Sequence, residues 1–188
     1  MIQRFIDKDG ILIDNEQHIK HAANQFGIPS KLLATVLMAE VLDYTFADYF
    51  FDDQPFFDLD ARSRGWVQLR TDNMRAKGIQ GWNASTPRSE IRDAIENTET
   101  GVYVLAEYLA WLRDNPIPET YASQVLADLA RWDSLNAEEE MSVSRAFAHA
   151  KDRSGPGMGG VGIPGTGDSL ESVANSAWRF VDSSQRFN

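Results

Sequence analysis

Residues 32–44 read LLATVLMAEVLDY, and the fold turns on how that run is taken. Leucine, valine, methionine and alanine are good to tolerable helix residues, and Pro29 just ahead suits a first helical turn. A helix is expected. Its apolar residues recur at Leu33, Val36, Leu37 and Val41, and a step of seven from Leu33 lands on Glu40, on the same stripe. An ionised carboxylate is costly to bury, so Glu40 has to be paired, protonated or set at the edge of a cleft. In the last case desolvation raises its pKa and makes it a proton donor near neutral pH. The plainer alternatives are a helix-edge residue with its head in water, or a structural ion pair with an arginine.

Upstream of this run, Asp14 and Gln17 have the spacing of a capping pair and Gly27 is a natural stop, which predicts a helix across NEQHIKHAANQF, residues 15–26. Before it, RFIDKDGILID alternates apolar residues around an Asp-Gly pair and predicts a short hairpin or extended lead-in. The segment can also be aligned as a calcium loop from Phe5, with Asp7, Asp9, Gly10 and Glu16 in place, but phenylalanine is no ligand and a turn is preferred. His18 and His21, with Asp14, share a helix face at metal-ligand spacing; an unmetallated solvent face is the expected reading.

Downstream, residues 43–70 (DYTFADYFFDDQPFFDLDARSRGWVQLR) are rich in aromatics and aspartates without helical period, and predict a long loop followed by short extended structure. Helices resume at about Ser89. After Gly101 the run VYVLAEYLAWLRD sets Val102, Leu105, Leu109 and Leu112 on one stripe, ended by Pro116 and Pro118. YASQVLADLARW and AEEEMSVSRAFAHA predict two further helices. Residues 154–168 have a Gly/Pro-rich linker composition, and residues 169–188 carry a last helix with Leu170, Val173, Ala174, Ala177 and Val181 on one face, which has to dock on this chain or on a partner. The chain is thus expected to be mainly α, with a catalytic-size domain over 1–153, the linker, and the C-terminal helix and tail.

With 188 residues, 43% hydrophobic and 11% aromatic, there is material for one full core. No run of about 18 apolar residues offers a membrane span. The opening MIQRFIDKDGILID lacks the apolar segment of a secretory signal, which leads to the expectation of export by a dedicated secretion system or phage route. Absence of cysteine excludes disulfides and thiol catalysis. The net charge of −10 argues against nucleic acid as a partner, and it also sits awkwardly with an anionic polymer as substrate.

Ser63, Gly65 and Gln68 spell S-x-G-x-x-Q in ARSRGWVQLR, a loop's length after Glu40. A Gly-Ile-Pro turn introduces the glutamate helix in FGIPSKLLATVLMAE, and Asn97, Gly101, Tyr108 and Leu109 give N-x-x-x-G followed by Tyr-Leu. In order and spacing, residues 17–114 resemble the lysozyme-like superfamily, specifically its soluble lytic transglycosylase and goose-type lysozyme branches. The resemblance implies a lysozyme-like helical domain with a short β-hairpin flanking the cleft. It implies cleavage of peptidoglycan glycan strands between N-acetylmuramic acid and N-acetylglucosamine, in the periplasm or cell wall, with Glu40 catalytic and no metal or cofactor. Ser63, Gly65, Trp66, Gln68 and Tyr108 become the substrate-binding candidates. Glycine at 65 would let a sugar approach the backbone, Trp66 could stack on a sugar face, and Gln68 both donates and accepts hydrogen bonds. Among Asp52, Asp53, Asp58 and Asp60, Asp60 is the candidate second carboxylate.

The chain also departs from that pattern. Val41 stands where the family usually has serine, and AFAHAKDRSG, residues 146–155, is a poor echo of the late Ala-Tyr-Asn-x-x-Gly motif, with Phe147 in place of the hydroxyl. Hydrolysis and transglycosylation therefore both stay open. So does a non-catalytic lysozyme-like module that binds glycan or serves a phage or secretion machine. An antibacterial effector would imply an immunity protein or a secretion-machine component as partner.

Overall fold

A computed structural model describes residues 8–43, 65–115, 122–153 and 170–187. Among these residues the chain forms nine α-helices and two short 3-10 turns, with no sheet. Ser63, Asp60, the other loop aspartates, Phe50, Phe51, Phe56, Phe57, Pro116, Pro118 and the linker at 154–168 lie outside the described residues.

The first helix, α1 (Lys8–Asp14), occupies the segment expected to turn at Asp9–Gly10. Leu12 is buried and α1 packs on the helix that carries Glu40. Tertiary burial of the apolar residues outweighs the local turn preference of Asp-Gly. Next comes α2 (Glu16–Phe26), which ends as expected at Gly27, left-handed at φ 62°. Its start differs from the expected Asp14–Gln17 pair: Asn15 sits at the cap position and its side-chain amide donates back to the Ile11 carbonyl at 2.8 Å.

The helix α3 (Ser30–Asp43) is the centre of the molecule. Every residue from position 31 to 41 is buried, so the expected single apolar stripe is in fact a helix covered on all sides. It packs against α1, α2, α6 (Thr98–Asp114), α8 (Ala137–Arg153) and α9 (Leu170–Ser184). Between these lie α4 (Thr71–Ala76), α5 (Arg88–Glu96) and α7 (Ala122–Ala130). No helical period marks α4, a single turn and a half just beyond the 43–70 stretch expected to be loop and extended structure.

Side-chain caps open two of the helices. The Asn97 side chain accepts from the Thr100 amide at 3.0 Å and opens α6. At α8, Asn136 accepts from the amides of Glu138 and Glu139, while Glu139 returns a bond to the Asn136 amide at 2.9 Å, a reciprocal capping box.

The C-terminal helix docks on its own chain. Ala174, Ala177, Trp178 and Val181 are buried, as is Phe187 beyond the helix end. A buried lysine secures the contact: Lys31 on α3 donates to Glu140 of α8 at 2.5 Å and to Asp182 of α9 at 2.7 Å, with its ammonium 5.0 Å from the Trp178 ring centre. Burial lowers the pKa of this ammonium, but its hydrogen bonds to Asp182 and Glu140 outweigh burial and hold it above the usual lysine value.

Candidate active site

Glu40 lies near the C-terminal end of α3 and is 6% exposed. Its carboxylate is paired: Oε1 lies 2.9 Å from Nζ of Lys151, in the last turn of α8. Of the states open to a buried glutamate the ion pair is realised, with a lysine in place of the arginine anticipated. An ammonium in contact favours the charged carboxylate, so desolvation does not act on Glu40 alone.

The same ammonium donates to the main-chain carbonyl of Gln68 at 2.9 Å. Thus Lys151 joins the glutamate to the turn that holds the later half of the S-x-G-x-x-Q pattern. Residues 65–68 are a succession of turns, and Leu69 is a lone bridge residue. The Gln68 amide and the Gln68 side-chain Nε2 both donate to the Gly65 carbonyl, at 3.1 and 2.8 Å. Gln68 itself is left-handed at φ 45°, a conformation uncommon without glycine. Its side chain is therefore spent on its own turn, where the sequence reading had it reaching for sugar.

Gly65 has a different reason from the one expected. Its φ is 63°, and a Cβ there would lie 2.6 Å from the Ile95 carbonyl at the end of α5. The space a side chain would need is filled by protein backbone. Gly101 answers to the same atom, since a Cβ on it would sit 2.8 Å from the Ile95 carbonyl and 3.4 Å from Val67. The two glycines of the sequence pattern thus close on the end of one helix, and this contact seats the turn against α6.

Tyr108, expected to touch substrate, is fully buried at 0% exposure. Its hydroxyl accepts from Asn73 Nδ2 at 3.1 Å, and Lys77 Nζ donates to Asn73 Oδ1 at 2.5 Å. Trp111 stacks on Tyr108 with ring centres 6.3 Å apart and carries Lys77 over its face at 4.8 Å. Burial pushes the Lys77 ammonium below its usual pKa, partly offset by Asp72. Tyr108 therefore braces α4 on α6. Trp66 is half-buried and packs on the core edge.

The candidate metal face is engaged otherwise. His21 Nδ1 is hydrogen-bonded to the Tyr103 hydroxyl at 2.8 Å, and His18 Nδ1 lies 3.4 Å from Glu99. A groove of about 750 Å³ lies between the α2–α3 turn and the α7 end, lined by Pro29, Arg113, Leu129 and Trp132 among others; among the described residues no sequence-predicted site residue lines it.

Of the sequence candidates, the structure brings Glu40, Gly65 and Gln68 into one connected unit. The residue that sequence reasoning missed is Lys151. A signal was present: Val143, Phe147 and Lys151 recur at four-residue steps on α8 and all are buried, so a cation stands on an apolar face just as Glu40 does. Comparisons with protein-family models, with curated proteins and with solved structures find no match.

Proposed function

We propose that the chain is a lysozyme-like glycosidase of peptidoglycan, a lytic transglycosylase or muramidase that cuts MurNAc-GlcNAc bonds with Glu40 as its one acid-base group. The observation that carries this reading is the link between Glu40 and the carbonyl of Gln68 through Lys151, because it joins a glutamate on an apolar helix to the glutamine-bearing turn the resemblance pairs with it. In the reaction, Glu40 protonates the glycosidic oxygen as the bond to the leaving sugar breaks. The carboxylate so formed accepts a proton from the sugar's own hydroxyl, giving an anhydro product, or from water, giving hydrolysis. To act first as acid, Glu40 has to be protonated, which loosens its bond to Lys151. The protein would then serve as a wall-degrading effector or phage lysis protein, with an immunity protein or secretion-machine component as partner.

A second reading is favoured by one observation, the burial of both charges of the pair, with side chains 2% and 7% exposed. Such a pair can be purely structural. The chain would then be a non-catalytic glycan-binding or adaptor module. Turnover of purified wall by folded wild type and Glu40→Gln separates the two: clearing lost in the variant supports the glycosidase, and equal binding without clearing by either supports the module.

A further inference from the structure

Lys151 is dear to bury, and its position is unlike that of a lysine kept for stability. Replacing a buried ion pair with apolar groups is often neutral or stabilising, so stability alone explains poorly why a cation stands at this point of an apolar helix face. Among the described residues its ammonium meets two acceptors from distant parts of the chain, the Glu40 carboxylate and the Gln68 carbonyl, both at 2.9 Å. The second acceptor belongs to a left-handed, non-glycine residue, a conformation that persists where its surroundings hold it. Val143 and Phe147, buried on the same face of α8, fix the stem from which the ammonium reaches.

We infer that Lys151 is the positioning residue of this site: it holds the Glu40 carboxylate and the Gln68 turn at one fixed separation. The inference rests on the glycosidase reading. A bound glycan has to meet the acid and the turn together, and a tether common to both sets that register. Lys151 itself touches no substrate in this role.

The test uses the full chain and soluble, uncrosslinked peptidoglycan strands as substrate. Lys151→Met should lower kcat by about 100-fold, the scale of a small misplacement of reacting groups, while KM moves by less than about threefold. Because the chain has no cysteine, Lys151→Cys offers a single thiol, and aminoethylation of the unfolded variant before refolding restores an ammonium at that site alone. Recovery of kcat in the aminoethylated protein is expected. In parallel, the Gln68 carbonyl 13C and amide signals should move in Lys151→Met, which removes the carbonyl's donor, and stay near wild type in Glu40→Gln, which keeps it. A folded Lys151→Met with wild-type kcat, or with Gln68 signals unmoved, overturns the inference. Should Lys151→Met fail to fold, Lys151→Gln takes its place with the same two outcomes. If the wild type cleaves no strand, the glycosidase reading is what fails, and the tether is judged on the Gln68 signals of Lys151→Met: moved, they uphold it; unmoved, they overturn it.

Discussion

Breaking the Glu40–Lys151 pair should cost more than either residue's surface burial suggests. The two side chains are 7% and 2% exposed and their charged atoms lie 2.9 Å apart, so neither has water to fall back on. Lys151→Met removes one partner of this buried pair, for which about 3–5 kcal/mol is the usual loss. Glu40→Gln is milder, about 2 kcal/mol, because the amide oxygen still accepts from the ammonium and the Gln68 carbonyl keeps its donor. Desolvation acting alone would have made Glu40→Gln neutral or stabilising, so the sign of this variant separates pairing from isolation. In the double variant both members of the pair are gone, and its loss should fall short of the summed single losses by about 2 kcal/mol. Urea denaturation of the four proteins at neutral pH measures the cycle. Additivity within about 0.5 kcal/mol would refute the reasoning, since it would mean that the two groups do not share an energy.

Gly65→Ala should destabilise by at least about 2 kcal/mol, from the left-handed backbone and the Ile95 carbonyl 2.6 Å from the new carbon; a wild-type urea midpoint would show that the turn does not rest on α5. Removing residues 154–188 uncovers the face of α3 beneath Trp178, Val181 and Phe187, and with each large buried group worth about 1.5–3 kcal/mol the melting temperature should fall by about 10 °C or more. A truncated chain melting like the full one would mean that α9 is not held there. Lys31 has a folded pKa raised above 10.5, so its contribution is complete below that pH and is lost as pH rises through the folded value. Wild type should therefore lose more stability than Lys31→Met as pH is raised beyond 10.5, and equal slopes would contradict the lock between α3, α8 and α9.

Local signals carried α2, α3, α6, α8 and α9, because their apolar periods are long and their stops, such as Gly27, are chemically specific. They failed where the deciding contact is distant. Asp9–Gly10 prefers a turn in isolation, yet the segment is helical with Leu12 buried and α1 packed on α3. Gly65 was legible as a required glycine but not its reason, since the Ile95 carbonyl comes from a helix that the pattern does not mention. The buried rank of Glu40 could be read from its own helix. Its partner could not, because pairing it with Lys151 requires knowing that the last turn of α8 ends beside the 65–68 turn.

Mass spectrometry of peptidoglycan digested by the full chain, beside an equal amount of folded Glu40→Gln, decides whether Glu40 cuts glycan strands, because it reports activity, bond and product together. Wild type should release disaccharide-peptides cut after N-acetylmuramic acid, with anhydro or reducing ends, and the variant none. Intact glycan strands after wild-type digestion, or the same fragments from Glu40→Gln, would contradict this role of Glu40.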